Sequence, residues 1–202
     1  MPSTRYQKIN AHHYRHIWVV GDIHGEYQLL QSRLHQLSFF PKIDLLISVG
    51  DNIDRGPESL DVLRLLNQPW FTSVKGNHEA MALEAFETGD GNMWLASGGD
   101  WFFDLNDSEQ QEAIDLLLKF HHLPHIIEIT NDNIKYAIAH ADYPGSEYLF
   151  GKEIAESELL WPVDRVQKSL NGELQQINGA DYFIFGHMRF DNIQTFANQI
   201  YI

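Results

Sequence analysis

The chain has 202 residues, 44% hydrophobic and 21% charged, which is ordinary for one globular domain with a substantial core. It has no cysteine, so disulfides and thiolate metal ligands are excluded and a reducing compartment fits. The formal net charge of −14, from 28 acidic and 14 basic residues, argues against a nucleic-acid partner, since binding a phosphate backbone needs a basic face.

In chain order, Met1 to Tyr6 lacks the apolar core of a signal peptide. No apolar stretch approaches the roughly 18–20 residues that span a bilayer, so the expectation is a soluble, cytoplasmic protein without a membrane partner. Ile17-Trp18-Val19-Val20 predicts a buried strand running into Gly21-Asp22. Leu29, Leu30, Leu34 and Leu37 have helical spacing and predict a helix over Tyr27 to Leu37. Leu45 to Val49 is a second strand. The next helix opens at Pro57, tolerated in a first turn, and carries Leu60, Leu63, Leu65 and Leu66. Phe71-Thr72-Ser73-Val74 is a third strand, and this β-α-β-α-β run predicts parallel pairing with right-handed crossovers.

Residues 79–122 read as a helical insertion, broken at Thr88 to Gly91 and Ser97 to Asp100, with loops that are candidates to border a site. Ile126 to Ile129 and Lys135 to Ala139 flank Asn131-Asp132-Asn133 as a hairpin. The polar stretch from Ser146 to Gly179 holds one predicted helix, about Glu156 to Leu170. Tyr182 to Phe185 is a strand, and Phe196 to Ile202 begins another. With no repeat, low-complexity tract or linker, a single domain over residues 1–202 is predicted.

Ligand-type side chains recur where these strands end: Gly21-Asp22-Ile23-His24-Gly25, Gly50-Asp51-Asn52-Ile53-Asp54-Arg55-Gly56, Gly76-Asn77-His78-Glu79, His140 and His187. In an open α/β sheet the carboxyl ends of strands converge on the ligand crevice. The pattern points to a two-metal hydrolase, in which ions about 3.5–4 Å apart share a bridging carboxylate. Taken singly, Asp22 and Asp51 read equally as turn formers, Asn77 as a loop asparagine, and His140 and His187 as core histidines. In this order and number they read as ligands.

The three motifs with their two later histidines resemble the signature of the phosphoprotein phosphatase family of metal-dependent serine/threonine phosphatases, in its bacteriophage-lambda and enterobacterial type, from about Tyr14 to Ile202. Periodicity alone indicates an α/β sheet. The resemblance implies a calcineurin-like metallophosphoesterase β-sandwich flanked by helices, with a two-metal site at the C-terminal ends of the strands. It implies that Asp22, His24 and Asp51 hold one metal and that Asp51, Asn77, His140 and His187 hold the other, with Asp51 bridging. Oxygen and nitrogen ligands suit Mn²⁺, Fe or Zn²⁺, and two Mn²⁺ are the first expectation.

In the same pattern His78 is the proton donor to the leaving alkoxide, paired with Asp54, which fixes its tautomer and favours imidazolium. Arg55 fits a phosphate clamp, with a salt bridge to Glu79 or Glu58 as its other reading. The lambda type has a second clamp arginine two residues after a tryptophan. Trp161-Pro162-Val163 places valine there, so Arg165 is the candidate substitute, unless it pairs with Asp164 or Glu158. The family pattern also continues past the counterpart of Tyr201-Ile202 with an Asp-Thr-Gly segment and further strands. His12, His13, His16, His35, His121, His122 and His125 read as surface features rather than ligands.

The implied reaction is hydrolysis of phosphoserine and phosphothreonine on proteins, with tolerance of phosphotyrosine and phosphohistidine. A metal-bridging hydroxide attacks phosphorus in line, without a phospho-enzyme. Phosphoproteins are the expected partners, and a monomer is compatible. One rival is a diadenosine tetraphosphate hydrolase, which shares the motifs but wants an adenine pocket and more basic residues. The other is a non-catalytic scaffold, in which the ligands or His78 should have drifted.

Overall fold

The computed structural model describes residues 4–202. Strand β1 (Tyr6–Asn10) precedes β2 (His16–Val20), α1 (Tyr27–Gln36), β3 (Asp44–Ser48), α2 (Ser59–Arg64) and β4 (Phe71–Ser73). As predicted, β2, β3 and β4 pair in parallel, with His16 opposite Asp44 and Leu46 opposite Phe71. Every residue of β3 is buried, because helices cover one face of its sheet and a second sheet covers the other; hence its continuous apolar run. Leu46 joins Leu30, Leu34 and Val62 of α1 and α2 in the outer layer. Leu45, Ile47 and Val49 point the other way, at the two-residue period of a strand.

The helical insertion comprises α3 (Asn77–Thr88), α4 (Asn92–Ala96), a 3₁₀ segment (Gly99–Asp104), α5 (Asp107–Leu117) and a last 3₁₀ turn (Leu118–His121). Asn106 caps α5 by accepting from the N–H groups of Ser108 and Glu109. Trp94, Phe102, Leu116 and Phe120 pack with Ile53, Leu60, Leu63 and Met81, which fastens the insertion to α2 and to the loop after β3.

The rest of the chain forms β5 (Ile126–Asn131), β6 (Ile134–Ile138), α6 (Glu156–Leu160), α7 (Asp164–Leu170), β7 (Tyr182–Phe185), β8 (Gln194–Phe196) and β9 (Gln199–Tyr201). With β1 they make a mixed six-stranded sheet of order β1-β5-β6-β7-β9-β8. Its Ile9, Ile127, Ile129, Ile138 and Ile184 meet Leu45, Ile47, Val49 and Val74 across the sandwich interior. Leu159, Leu160 and Val166 from α6 and α7 cover its outer side against Ile126, Phe183, Phe185 and Tyr201. The result is a β-sandwich with helices outside. Among the described residues no helix is long and apolar enough to cross a membrane.

Several local expectations are corrected. β1 was not predicted: it is an edge strand whose Gln7 and Lys8 are exposed, leaving only Tyr6 and Ile9 as an apolar signal. The single helix over Glu156 to Leu170 is two helices, split at Trp161-Pro162-Val163, since proline lacks an N–H and disfavours helical geometry in the residue before it. The second predicted helix begins at Ser59, with Pro57 and Glu58 in a turn. The final segment is a hairpin, with Ala197 in the left-handed region (φ 51°) between β8 and β9.

His125 is buried rather than superficial. Its Nδ1 accepts from the Arg5 N–H at 3.0 Å and its Nε2 donates to Glu156 at 2.8 Å. Lys75, just before the Gly76-Asn77-His78-Glu79 turn, reaches the same carboxylate at 3.0 Å. Burial pushes the Glu156 carboxyl up, but His125 and Lys75 outweigh it and bring it down to about 2. A depressed carboxyl stabilises the fold above its unfolded value near 4.5, and the contribution fades as pH falls towards 2. Glu156→Gln is therefore expected to lower Tm at pH 7, with the difference from the parent shrinking between about pH 4.5 and 2. Thermal melts across that range check this, and a constant difference would contradict it.

Candidate metal centre

All the strands that deliver candidate ligands end at one edge of the sandwich. β2 leads to Asp22 and His24, β3 to Asp51 and β4 to Asn77 in one sheet; β6 leads to His140 and β7 to His187 in the other. Backbone bonds lace the loops together. The N–H groups of Ile23 and His24 both donate to the Asp51 carbonyl, at 3.0 and 2.9 Å, and that of Gly186 donates to the His140 carbonyl at 2.8 Å. Gly76 is required here, because a Cβ would lie 2.3 Å from the Asp51 nitrogen and from its Oδ1.

Two groups of ligand atoms result. In the first, His24 Nε2 lies 4.0 Å from Asp22 Oδ2 and 3.9 Å from Asp51 Oδ2. In the second, His140 Nε2 lies 3.4 Å from Asp51 Oδ1, 2.8 Å from Asn77 Oδ1 and 3.2 Å from His187 Nδ1. Asp51 thus turns one oxygen to each group. His24 Nδ1 is bonded to the Ile53 carbonyl at 2.9 Å, and His140 Nδ1 to the Val49 carbonyl at 2.8 Å. A carbonyl only accepts, so in both rings Nδ1 carries hydrogen and Nε2 is the nitrogen turned inward, as in a metal-ligating imidazole. Asp22 Oδ1 accepts from the His187 backbone N–H at 3.1 Å, which ties the first group to the second sheet.

The electrostatics favour added positive charge. Burial and the neighbouring Asp51 push Asp22 up to about 6. Burial alone would lower His140, but Asp51 and Asp22 hold it up to about 9, so even the inward-facing Nε2 tends to recruit a proton. His187, lowered to about 4 by burial and by His140, is neutral and free to ligate. Asp22, His24, Asp51, Asn77, His140 and His187 therefore fit a pair of divalent ions: two carboxylates for charge, a neutral amide and imidazoles for the remaining positions. The tightest groups of ligand atoms are His24 with Asp51 and His78, and Asp51 with His140 and His187.

Beside these groups, His78 Nδ1 donates to Asp54 Oδ2 at 2.6 Å, both side chains being buried. Burial lowers the His78 pKa, yet the hydrogen bond to Asp54 and the nearby carboxylates raise it overall. Arg55 is exposed and spans the opening, with Nη1 at 2.9 Å from His24 Nε2 and Nη2 at 3.1 Å from His78 Nε2. It pairs with neither Glu79 nor Glu58 in the observed arrangement. His24, Asp51, Asp54, Arg55 and His187 all have left-handed backbone, with φ between 45° and 73°. Such non-glycine conformations cost about 1–3 kcal/mol each and cluster at functional sites.

Arg165 lies elsewhere, which corrects the expectation that it replaces the clamp arginine missing at Val163. Its Nε donates to Asp142 Oδ1 at 2.7 Å, and its Nη2 to the carbonyls of Tyr143 and Gly145 at 2.9 and 2.7 Å. Buried and fully engaged, the guanidinium supports the loop after His140 and leaves no free fork for phosphate. It bonds neither Asp164 nor Glu158.

The residue whose importance the motif reading understated is Glu79. Its buried carboxylate accepts from the backbone N–H groups of Asp51, Asn52 and Gly76 at 3.0, 2.6 and 2.9 Å. Burial and Asp51 push its pKa up to about 7. Also unassigned were Trp94 and Trp101 of the insertion, which meet Asp54; the Ser97 to Asp100 break beside them was the available signal.

The family model for calcineurin-like phosphoesterases matches residues 15–188. Over all of its length the chain is 59% identical to serine/threonine-protein phosphatase 2 of Salmonella typhimurium, 93% of which is covered. It is 44% identical to serine/threonine-protein phosphatase 1 of that organism, with 91% covered. A symmetrical bis(5'-nucleosyl)-tetraphosphatase of Erwinia tasmaniensis is 32% identical, over 61% of this chain and 43% of its own. Among solved structures, a Saccharomyces cerevisiae protein serine/threonine phosphatase superposes with a TM-score of 0.68 at 18% identity, over 98% of this chain and 71% of that one.

Asp51→Asn is expected to lose metal from both groups, whereas His24→Ala should mainly weaken the first. Metal analysis of the purified variants decides the matter: two tightly held ions in Asp51→Asn would remove the bridging role.

Proposed function

This chain belongs to the calcineurin-like phosphoesterase family, and we propose that it is a metal-dependent serine/threonine protein phosphatase that hydrolyses phosphomonoesters on proteins. The observation that carries the reading is the Asp54–His78 pair, set against two groups of metal-type ligands with Arg55 across the opening. The two Salmonella relatives named as protein phosphatases align over the whole chain, while the tetraphosphatase alignment covers 61% of it. The site residues named below belong to this proposal.

Asp22, His24 and Asp51 would hold one divalent ion, and Asp51, Asn77, His140 and His187 the other. When bound, the pair supplies Lewis-acid polarisation of the phosphoryl group and activation of water. Arg55 moves its fork from the histidine nitrogens to two phosphate oxygens, a planar bidentate match. With Nδ1–H committed to Asp54, His78 presents Nε2 to the reaction, and the proton there passes to the departing serine or threonine oxygen. The oxygen and nitrogen donor set suits Mn²⁺, Fe or Zn²⁺ alike, and the family resemblance favours Mn²⁺. The family resemblance extends the substrate range to phosphotyrosine and phosphohistidine, and a chain without cysteine fits work in a reducing cytoplasm.

His78→Asn should slow an alkyl phosphoester by roughly 10²–10⁴, the usual contribution of a general acid. A nitrophenyl ester, whose leaving group needs little protonation, should lose less. Equal losses on the two would assign His78 a different role.

Substrate class is tested by comparing a phosphoserine peptide with diadenosine tetraphosphate in the same metal at physiological salt. A chain at −14 repels a free polyphosphate more than a phosphoresidue of about −1.5 to −2, which also adds backbone contacts. Higher kcat/KM for the peptide is expected. Faster hydrolysis of the dinucleotide would establish the tetraphosphatase reading instead.

A further inference from the structure

Asp54 is fully buried, and among the described residues no lysine or arginine side chain is bonded to it; the guanidinium of its neighbour Arg55 is directed to His24 and His78. A buried carboxylate without such a partner needs its lone pairs filled by neutral donors. Two come from the helical insertion. Trp101 Nε1 donates to Asp54 Oδ1 at 2.7 Å, and Trp94 Nε1 donates to the same oxygen at 2.9 Å, with Oδ2 at 3.1 Å. Oδ2 is left facing His78 Nδ1 at 2.6 Å.

We propose that the indole N–H groups of Trp94 and Trp101 are positioning groups of the active site: they clamp Asp54 so that its Oδ2 holds His78 in the proton-donating orientation. The inference rests on the reading of Asp54 and His78 as the acid pair. Indole suits the task chemically. It is a donor only, so it cannot take the proton meant for the leaving group. It is also neutral, so unlike an arginine in the same place it stabilises the carboxylate without repelling the imidazolium beside it.

The rings are themselves fixed. Trp94 and Trp101 meet edge-on at 84° with centroids 6.3 Å apart, and Phe102 packs against both, at 5.7 and 6.1 Å. The insertion also grips the backbone that follows, since the Arg55 N–H donates to the Gly98 carbonyl at 3.2 Å. The stretch from α4 through the following 3₁₀ segment therefore reaches Asp54 and Arg55 through two side chains and one carbonyl, without contributing a metal ligand.

The test is a mutant cycle with Trp94→Phe, Trp101→Phe and Asp54→Ala in the metal-loaded enzyme. A phosphoserine peptide and nitrophenyl phosphate are assayed, with metal content and Tm measured on every variant. Each tryptophan change should reduce kcat on the peptide by about tenfold to a hundredfold, as for loss of one hydrogen bond to an ionised acceptor, with KM nearly constant. The loss on nitrophenyl phosphate should be smaller. In the Asp54→Ala background neither change should cost anything further, because the group they position is gone.

Equal losses on both substrates, or losses that persist undiminished without Asp54, would show that the indoles serve packing alone and overturn the proposal. Trp101 is only partly buried, so if Trp94→Phe fails to fold, Trp101→Phe decides the matter by itself. An Asp54→Ala enzyme that loses equally on both substrates overturns the acid-pair reading and this proposal with it. A leaving-group-selective Asp54→Ala beside unaffected tryptophan variants overturns only the clamp.

Discussion

The Glu79 carboxylate is the interaction on which the rest of the site depends. Strands β3 and β4 end in loops of unusual backbone, and their N–H groups at Asp51, Asn52 and Gly76 have no sheet partner left. One buried acid gathers all three. Its position sets the distance between the Asp51 loop and the first turn of α3, and therefore between Asp51, Asn77 and His78. Unpaired buried N–H groups would cost about 1–3 kcal/mol each, so the arrangement is strongly preferred over any in which the two loops separate. The same carboxylate adds negative charge behind Asp51, which deepens the local demand for cations.

A site made this way carries strain by necessity. Asp51, Asp54 and Arg55 leave the β region because a regular strand would point their side chains to alternate faces, whereas the chemistry needs them on one. The left-handed turns redirect them, and the surrounding hydrogen bonds to Ile23, His24, Ser59 and Gly98 hold those turns in place. Rigid sheets on either side make this possible; a loop without such neighbours would relax.

Much of this was legible in the chain itself. The β-α-β-α-β run, the hairpin before His140 and the placing of ligand-type residues at strand ends follow from apolar runs and turn chemistry acting over a few residues. The sandwich, in contrast, depends on Ile127, Ile138 and Ile184 meeting Leu45 and Ile47, and no local pattern reports which sheets face each other. β1 was invisible for the related reason that an edge strand needs few apolar residues. Arg165 misled because an arginine near a tryptophan reads the same whether its fork is free or buried on Asp142. Trp94 and Trp101 carry no signal in the sequence beyond their apolar character; Trp94 sits in the insertion's core with Trp101 packed against it, and only the folded chain shows their N–H edges turned to Asp54.

The division of the ligands between two sheets has a consequence for how the protein comes into being. Asp22 and the His187 backbone are bonded across a separation of 165 positions in the chain. Closing so long a loop is an entropic obstacle that local helices and hairpins do not face, so this contact belongs to the late stage of folding. A chain emerging from the ribosome presents Asp22, His24 and Asp51 early, and Asn77 soon after. The second cluster stays incomplete until β7 has been made and has inserted beside β6. Maturation to a fully assembled site is thereby tied to synthesis of the chain at least as far as His187.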